Sequence, residues 1–69
     1  MADGPLTDAQ IIAAAYAVRV TELFKVFAEA VATGEPDRDA IVRFKRGLAG
    51  AHRVRDQALE VAKEVGETA

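Results

Sequence analysis

Apolar residues recur along most of the chain at spacings of three and four positions, with polar residues between them. This periodicity is typical of amphipathic α-helices, and no strict alternation of the kind that indicates a half-buried β-strand competes with it. Two such segments flank the stretch TGEPDRD at 33–39, which contains a glycine and a proline. The pattern therefore predicts two long helices joined by a tight turn.

Signals at the ends of the two segments set their predicted limits. Thr7 is a good N-cap residue, and Gln10 three positions later completes the capping-box pattern. Gly34 suits the position after the end of helix one, Pro36 suits the first turn of helix two, and Gly66 is expected to end helix two. We predict one domain over 1–69, with a flexible N-terminal arm over 1–6, helix one over 7–33, a turn over 34–36 and helix two over 37–66.

A connection this short forces the two helices to run antiparallel, so the predicted fold is all-α, an antiparallel two-helix hairpin. On each helix the apolar residues cover an arc of roughly 140–180°, which is wider than one neighbouring helix buries. A chain of 69 residues without cysteine has a small core and no disulfides, so oligomerisation is the remaining source of stability. We therefore predict that two hairpins pair as a homodimer into a four-helix bundle. Its core is predicted to contain Leu23, Phe24, Phe27, Phe44, Leu48 and Val54.

Two glycines interrupt the predicted second helix, although each costs roughly 0.5–1 kcal/mol relative to alanine. Gly47 lies on the apolar arc, where a small residue allows another helix to approach closely. We expect Phe24 or Phe27 to lie opposite it. Gly50 is expected to point away from the core.

The charge of the chain is unevenly distributed. The net charge is −2, but the segment RFKRGLAGAHRVRD at 43–56 holds five basic residues and one acidic residue. Arg43, Arg46 and Arg53 are predicted to form a basic face on helix two. Two interpretations stay open: a solvated face paired with nearby carboxylates such as Asp39 and Glu60, or a stripe that contacts nucleic-acid phosphates. No aromatic residue interleaves with this stripe, which argues against stacking on single-stranded bases.

A second polar group is predicted to lie inside the hairpin. In an antiparallel pair that turns near residue 35, Tyr16, Arg19, His52 and Arg55 fall at nearly one level, on or near the apolar arcs. Buried charge needs a partner. Either the arginines reach water or pair with Glu22 and Asp56, with Arg55 stacked on the tyrosine, or the group binds an anion or an acidic side chain of a partner.

The residue set offers little for catalysis. The sequence contains no serine and no cysteine, and it has a single histidine. We therefore expect no catalytic residues, no enzyme activity, no cofactor and no metal site, since Glu-x-x-His and thiolate ligand patterns are absent.

The N-terminus MADGPLTDAQ does not resemble a secretory signal, and the apolar run IIAAAYAV is far shorter than the ~20 residues that span a bilayer. We expect a cytoplasmic protein that does not bind membranes. The predicted function is that of a small interaction, adaptor or regulatory protein that self-associates and binds another macromolecule, preferably a protein. The alternative is a nucleic-acid-binding hairpin dimer that uses the basic face of helix two.

The predicted plan of two long helices, a tight turn and dimerisation is similar to that of the plasmid-encoded Rop-type hairpins, which bind RNA. The similarity lies in the architecture, and no sequence motif is shared.

Overall fold

The computed structural model describes residues 6–68, with side chains described over 6–66. It contains α1, Asp8–Ala32, and α2, Asp37–Thr68, which pack against each other, and the described residues contain no strand. The predicted all-α two-helix hairpin is confirmed. Apart from Leu6, the predicted N-terminal arm lies outside the described residues.

Helix α1 begins with the predicted capping box. The backbone N–H of Gln10 donates to Thr7 Oγ1 at 3.1 Å, and the backbone N–H of Thr7 donates to Gln10 Oε1 at 2.8 Å. These two bonds satisfy donors that a helix N-terminus otherwise leaves unpaired. The cap fixes where the first helix starts relative to its apolar residues.

The turn reverses the chain over a few residues. Gly34 has φ +91°, a left-handed conformation that a residue without Cβ adopts at little cost. The backbone N–H of Glu35 donates to the Ala30 carbonyl at 3.0 Å, which closes the end of α1. The predicted end of the second helix at Gly66 is wrong, because α2 continues to Thr68. Glycine weakens a helix without clashing with it, so a glycine alone does not stop one.

Aromatic and aliphatic side chains hold the helices together along one line. The rings of Phe27 and Phe44 stack with centroids 4.8 Å apart and planes inclined by 18°. Further along, a Cβ added to Gly47 would lie 2.5 Å from Cδ2 of Leu23. The close approach predicted at Gly47 is present, but the expected neighbour was wrong: Leu23 lies opposite the glycine. Phe27 stacks on Phe44 instead, and Phe24 points about 100° away from Leu23 around the helix axis.

The hairpin is a single layer of two helices. Its Cα atoms extend 51 × 26 × 10 Å, with a radius of gyration of 16.1 Å. A compact domain of this length has a radius of gyration of about 11 Å, and it usually has at least two layers. Among the described residues, only Ala30 and Ala40 near the turn are buried. The sequence therefore folds into an extended slab with little core of its own.

Gly47 and Gly50 of α2 form a matched pair for testing this packing. A Cβ at Gly50 would have no atom within 4 Å, so we expect Gly50→Ala to stabilise the fold by about 0.5–1 kcal/mol. Gly47→Ala gains the same helix propensity but forces Leu23 to move. In thermal melting followed by circular dichroism, the free energy of unfolding of Gly47→Ala should be about 1 kcal/mol lower than that of Gly50→Ala. Equal melting temperatures would mean that α2 does not approach α1 at Gly47.

Candidate functional site

Three of the four predicted inner polar residues come together. The guanidinium carbon of Arg55 lies 4.7 Å from the centroid of the Tyr16 ring, in cation–π geometry. The His52 ring lies 5.7 Å from the same tyrosine ring, at an angle of 49°. Nη2 and Nε of Arg55 both lie 3.1 Å from Oδ1 of Asp56. Arg55 therefore has both an aromatic and a carboxylate partner.

Arg19 lies at the predicted level but has its own partner. Its Nη1 atom is 3.4 Å from Oε1 of Glu22, one turn further along α1, and both side chains are well exposed. Both arginines of the predicted group are thus paired with the carboxylates proposed for the pairing alternative, Glu22 and Asp56. The anion site stays a prediction, and its ligand would have to displace or join these pairs.

Sequence reasoning missed an open groove beside this group. The groove has a volume of about 580 Å³ and lies along the contact between the helices. Its bed is made of small and apolar residues, and arginines stand at its rim. The principal lining residues are Ile12, Ala15, Tyr16, Arg19, Arg46, Gly47, Gly50, Val54 and Arg55. The signal that could have found it is the run of small residues at 47, 50 and 51, which leaves space next to α1.

The predicted basic face divides into paired and unpaired members. Nη2 of Arg43 lies 2.5 Å from Oε2 of Glu35 in the turn. Arg46 and Arg53 are exposed and form no ion pair within the part of the chain that the structure describes. The expected pairing of this face with carboxylates of α2 is therefore wrong for these described residues. Glu35 takes Arg43 instead, because the turn places it next to the start of α2.

A second, smaller groove lies near the turn and is almost entirely apolar. It has a volume of about 420 Å³ and is lined by Phe24, Phe27, Ala28, Val31, Ala32, Asp37 and Ile41. Of the six predicted core residues, Leu23, Phe27, Phe44 and Leu48 are half-buried within the hairpin. Phe24 is 56% exposed and Val54 is 66% exposed. These last two residues lack a second layer to pack against.

Two further observations concern the described residues. Neither helix is both long enough and apolar enough to cross a membrane. No group of three or more histidine, aspartate or glutamate side chains is arranged to hold a metal ion.

In comparisons with known proteins, no family model, curated protein or solved structure matches this chain.

Substitution of Arg55 distinguishes the pairing and anion interpretations. The contacts with Tyr16 and Asp56 favour pairing, so Arg55→Met should change the free energy of unfolding by less than about 1 kcal/mol, because a chain of similar length replaces the stacked one. We expect the melting temperatures of wild type and Arg55→Met to respond equally to tens of millimolar phosphate at matched ionic strength. A phosphate-dependent rise that only the wild type shows would establish an anion site.

Proposed function

We propose that this protein is a non-enzymatic interaction protein that self-associates as a homodimeric four-helix bundle and binds a further macromolecule, preferably a protein. The observation that carries the proposal is the single-layer hairpin, whose two broad faces both present large apolar side chains to solvent. A helix pair of this kind is half of a bundle, and a second helix pair completes it.

The surface area supports this proposal quantitatively. The hairpin exposes 5552 Å², whereas a compact monomer of this mass exposes about 4,200 Å². Large apolar side chains, including those of Phe24, Val26 and Val54, are part of this exposed surface. Monomeric proteins rarely expose contiguous apolar patches larger than a few hundred Å², and larger ones mark interaction sites. Burying each large side chain contributes about 1.5–3 kcal/mol.

The hairpin has two broad faces, and for this reason we propose that it binds a further partner. A second hairpin covers one broad face of each copy, and the other face stays at the surface of the bundle. The residue set supports binding rather than catalysis, since the chain has no serine or cysteine and its histidine packs against Tyr16.

Exposed and unpaired arginines favour a second candidate, a nucleic-acid-binding hairpin dimer. Arg46 and Arg53 lie one heptad apart on α2, and neither has a carboxylate partner among the described residues. Phosphate contacts by arginine make affinity depend steeply on salt, with a logarithmic slope near −0.9 per contact on duplex DNA.

Titrations of duplex DNA and RNA against the wild type and an Arg46→Gln, Arg53→Gln double variant test this candidate. If the protein binds nucleic acid through these arginines, the affinity of the wild type should fall steeply as salt is raised. The logarithmic salt slope of the double variant should be shallower by the amount expected for the loss of about two phosphate contacts. Undetectable or variant-independent binding would leave the protein-binding function as the sole candidate.

Sedimentation equilibrium tests the self-association on which the main proposal rests. At micromolar concentration we expect about twice the chain mass of 7.4 kDa, because the apolar faces are covered only in an assembly. A monomeric mass together with a cooperative melting transition would contradict the proposal.

A further inference from the structure

We propose that the second copy binds on one particular face of the hairpin, and that the opposite face, with the arginine-rimmed groove, stays open. This inference rests on the proposed self-association and adds the location of the interface. The interface face, called the Phe24 face below, comprises Ala13, Ala17, Val20, Phe24 and Val31 of α1, together with Ile41, Leu48 and Leu59 of α2.

Helix α1 carries two adjacent apolar seams. The first contains Tyr16, Leu23 and Phe27, and it contacts α2 within the hairpin. The second is the α1 part of the Phe24 face, in which residues recur at heptad spacings and none is charged. In a four-helix bundle each helix contacts two neighbours, so it needs two seams side by side. Most of the second seam is exposed in the hairpin: Phe24 is 56% exposed, Ala13, Ala17 and Val31 are exposed, and only Val20 is half-buried.

The opposite flank of α1 has the same spacing but a different chemistry. Its positions are Ile12, Ala15, Arg19, Glu22 and Val26, so an ion pair, Arg19–Glu22, interrupts the apolar residues. Interface cores are depleted of charged residues. Burying this exposed pair would remove both ions from water at a cost that their mutual attraction rarely repays. Apolar burial therefore favours the Phe24 face over this one.

Helix α2 does not repeat this asymmetry, because by helical spacing Lys45, His52 and Asp56 lie beside Ile41 and Leu59, and Val54 and Val61 lie on the other side. On the Phe24 side, Ile41 and Leu59 remain exposed, and Ile41 lines the apolar groove near the turn with Phe24. This groove, about 420 Å³ in volume, offers a socket for side chains of a second copy. On the other side, Arg43 and Arg46 both line the boundary of the contact between the helices. A second copy on that side would meet the exposed Arg46, which forms no ion pair among the described residues, beside Arg43, which is paired with Glu35.

The broad faces of the hairpin have the dimensions that a stable dimer interface uses. The Cα atoms extend 51 × 26 Å across these faces, a bounding rectangle of about 1,300 Å², and a standard interface buries about 800 Å² per partner. With the second copy there, the 580 Å³ groove lined by Gly50, Val54 and Arg46 lies on the outer surface of the bundle. That surface remains accessible to a further partner.

Two substitutions close together on α1 test the assignment. Phe24 and Val26 are 56% and 61% exposed in the single hairpin, but they point about 160° apart around the helix. Phe24→Glu should raise the dimer dissociation constant by on the order of 100-fold, because it places an unpaired carboxylate in the interface. Val26→Glu should change the constant by less than about threefold. Sedimentation equilibrium measures both, and a larger effect from Val26→Glu would overturn the assignment.

Thiol accessibility gives a second test that changes no charge. The chain contains no cysteine, so Ala17→Cys places one thiol on the Phe24 face and Ala15→Cys places one on the opposite flank. Both alanines are exposed in the hairpin. When protein concentration is raised through the dissociation constant, alkylation by a maleimide should slow at least tenfold for Ala17→Cys and stay unchanged for Ala15→Cys.

The remaining outcomes separate this inference from the proposed function. Protection of Ala15→Cys alone, or of both thiols, would overturn the face assignment while self-association stands. Constant alkylation of both thiols, together with a monomeric mass, would overturn self-association itself. If Phe24→Glu fails to fold, the two cysteine variants still decide between these results.

Discussion

Two helices packed side by side can bury only the stripe along which they touch, and this limit governs the structure. The stripe here runs from the stack of Phe27 on Phe44, past the approach of Gly47 to Leu23, to Tyr16 and Arg55. The apolar arcs of both helices are wider than that stripe. The hairpin is consequently thin, with only Ala30 and Ala40 buried among the described residues. Both the proposed self-association and the two different faces follow from this excess of apolar surface.

The sequence predicted most of the fold because its signals are local. The capping box at Thr7 and Gln10 depends on residues three apart, and the turn at Gly34 depends on one left-handed residue. The prediction failed where tertiary packing decides. Which side chain lies opposite Gly47 depends on the rotation of each helix about its axis, which apolar arcs this broad leave undetermined. The end of α2 was misplaced because glycine permits a helix to continue as well as to stop.

The candidate site could be predicted in position but not in its pairings. Residues equally distant from the turn face each other in an antiparallel hairpin, so Tyr16 and Arg55 were expected to meet, and they do. The ion-pair partners of the charged side chains were harder to predict, since a long side chain can reach several carboxylates. Arg43 forms an ion pair with Glu35 in the turn, a contact that helical spacing does not indicate. The groove at Gly50 is a space between two helices, and the residue types in a sequence indicate such a space only indirectly.

The dependence of thermal stability on protein concentration tests the central claim most directly, that the hairpin needs a second layer to be stable. Assembly stabilises the folded state by mass action, so its melting temperature depends on concentration, whereas an independently stable monomer melts at one temperature. Melting should be followed by circular dichroism from about 1 to 100 μM. The claim predicts a melting temperature that rises steadily over this range, together with a loss of helicity at the lowest concentrations. A cooperative transition at the same temperature throughout would contradict it.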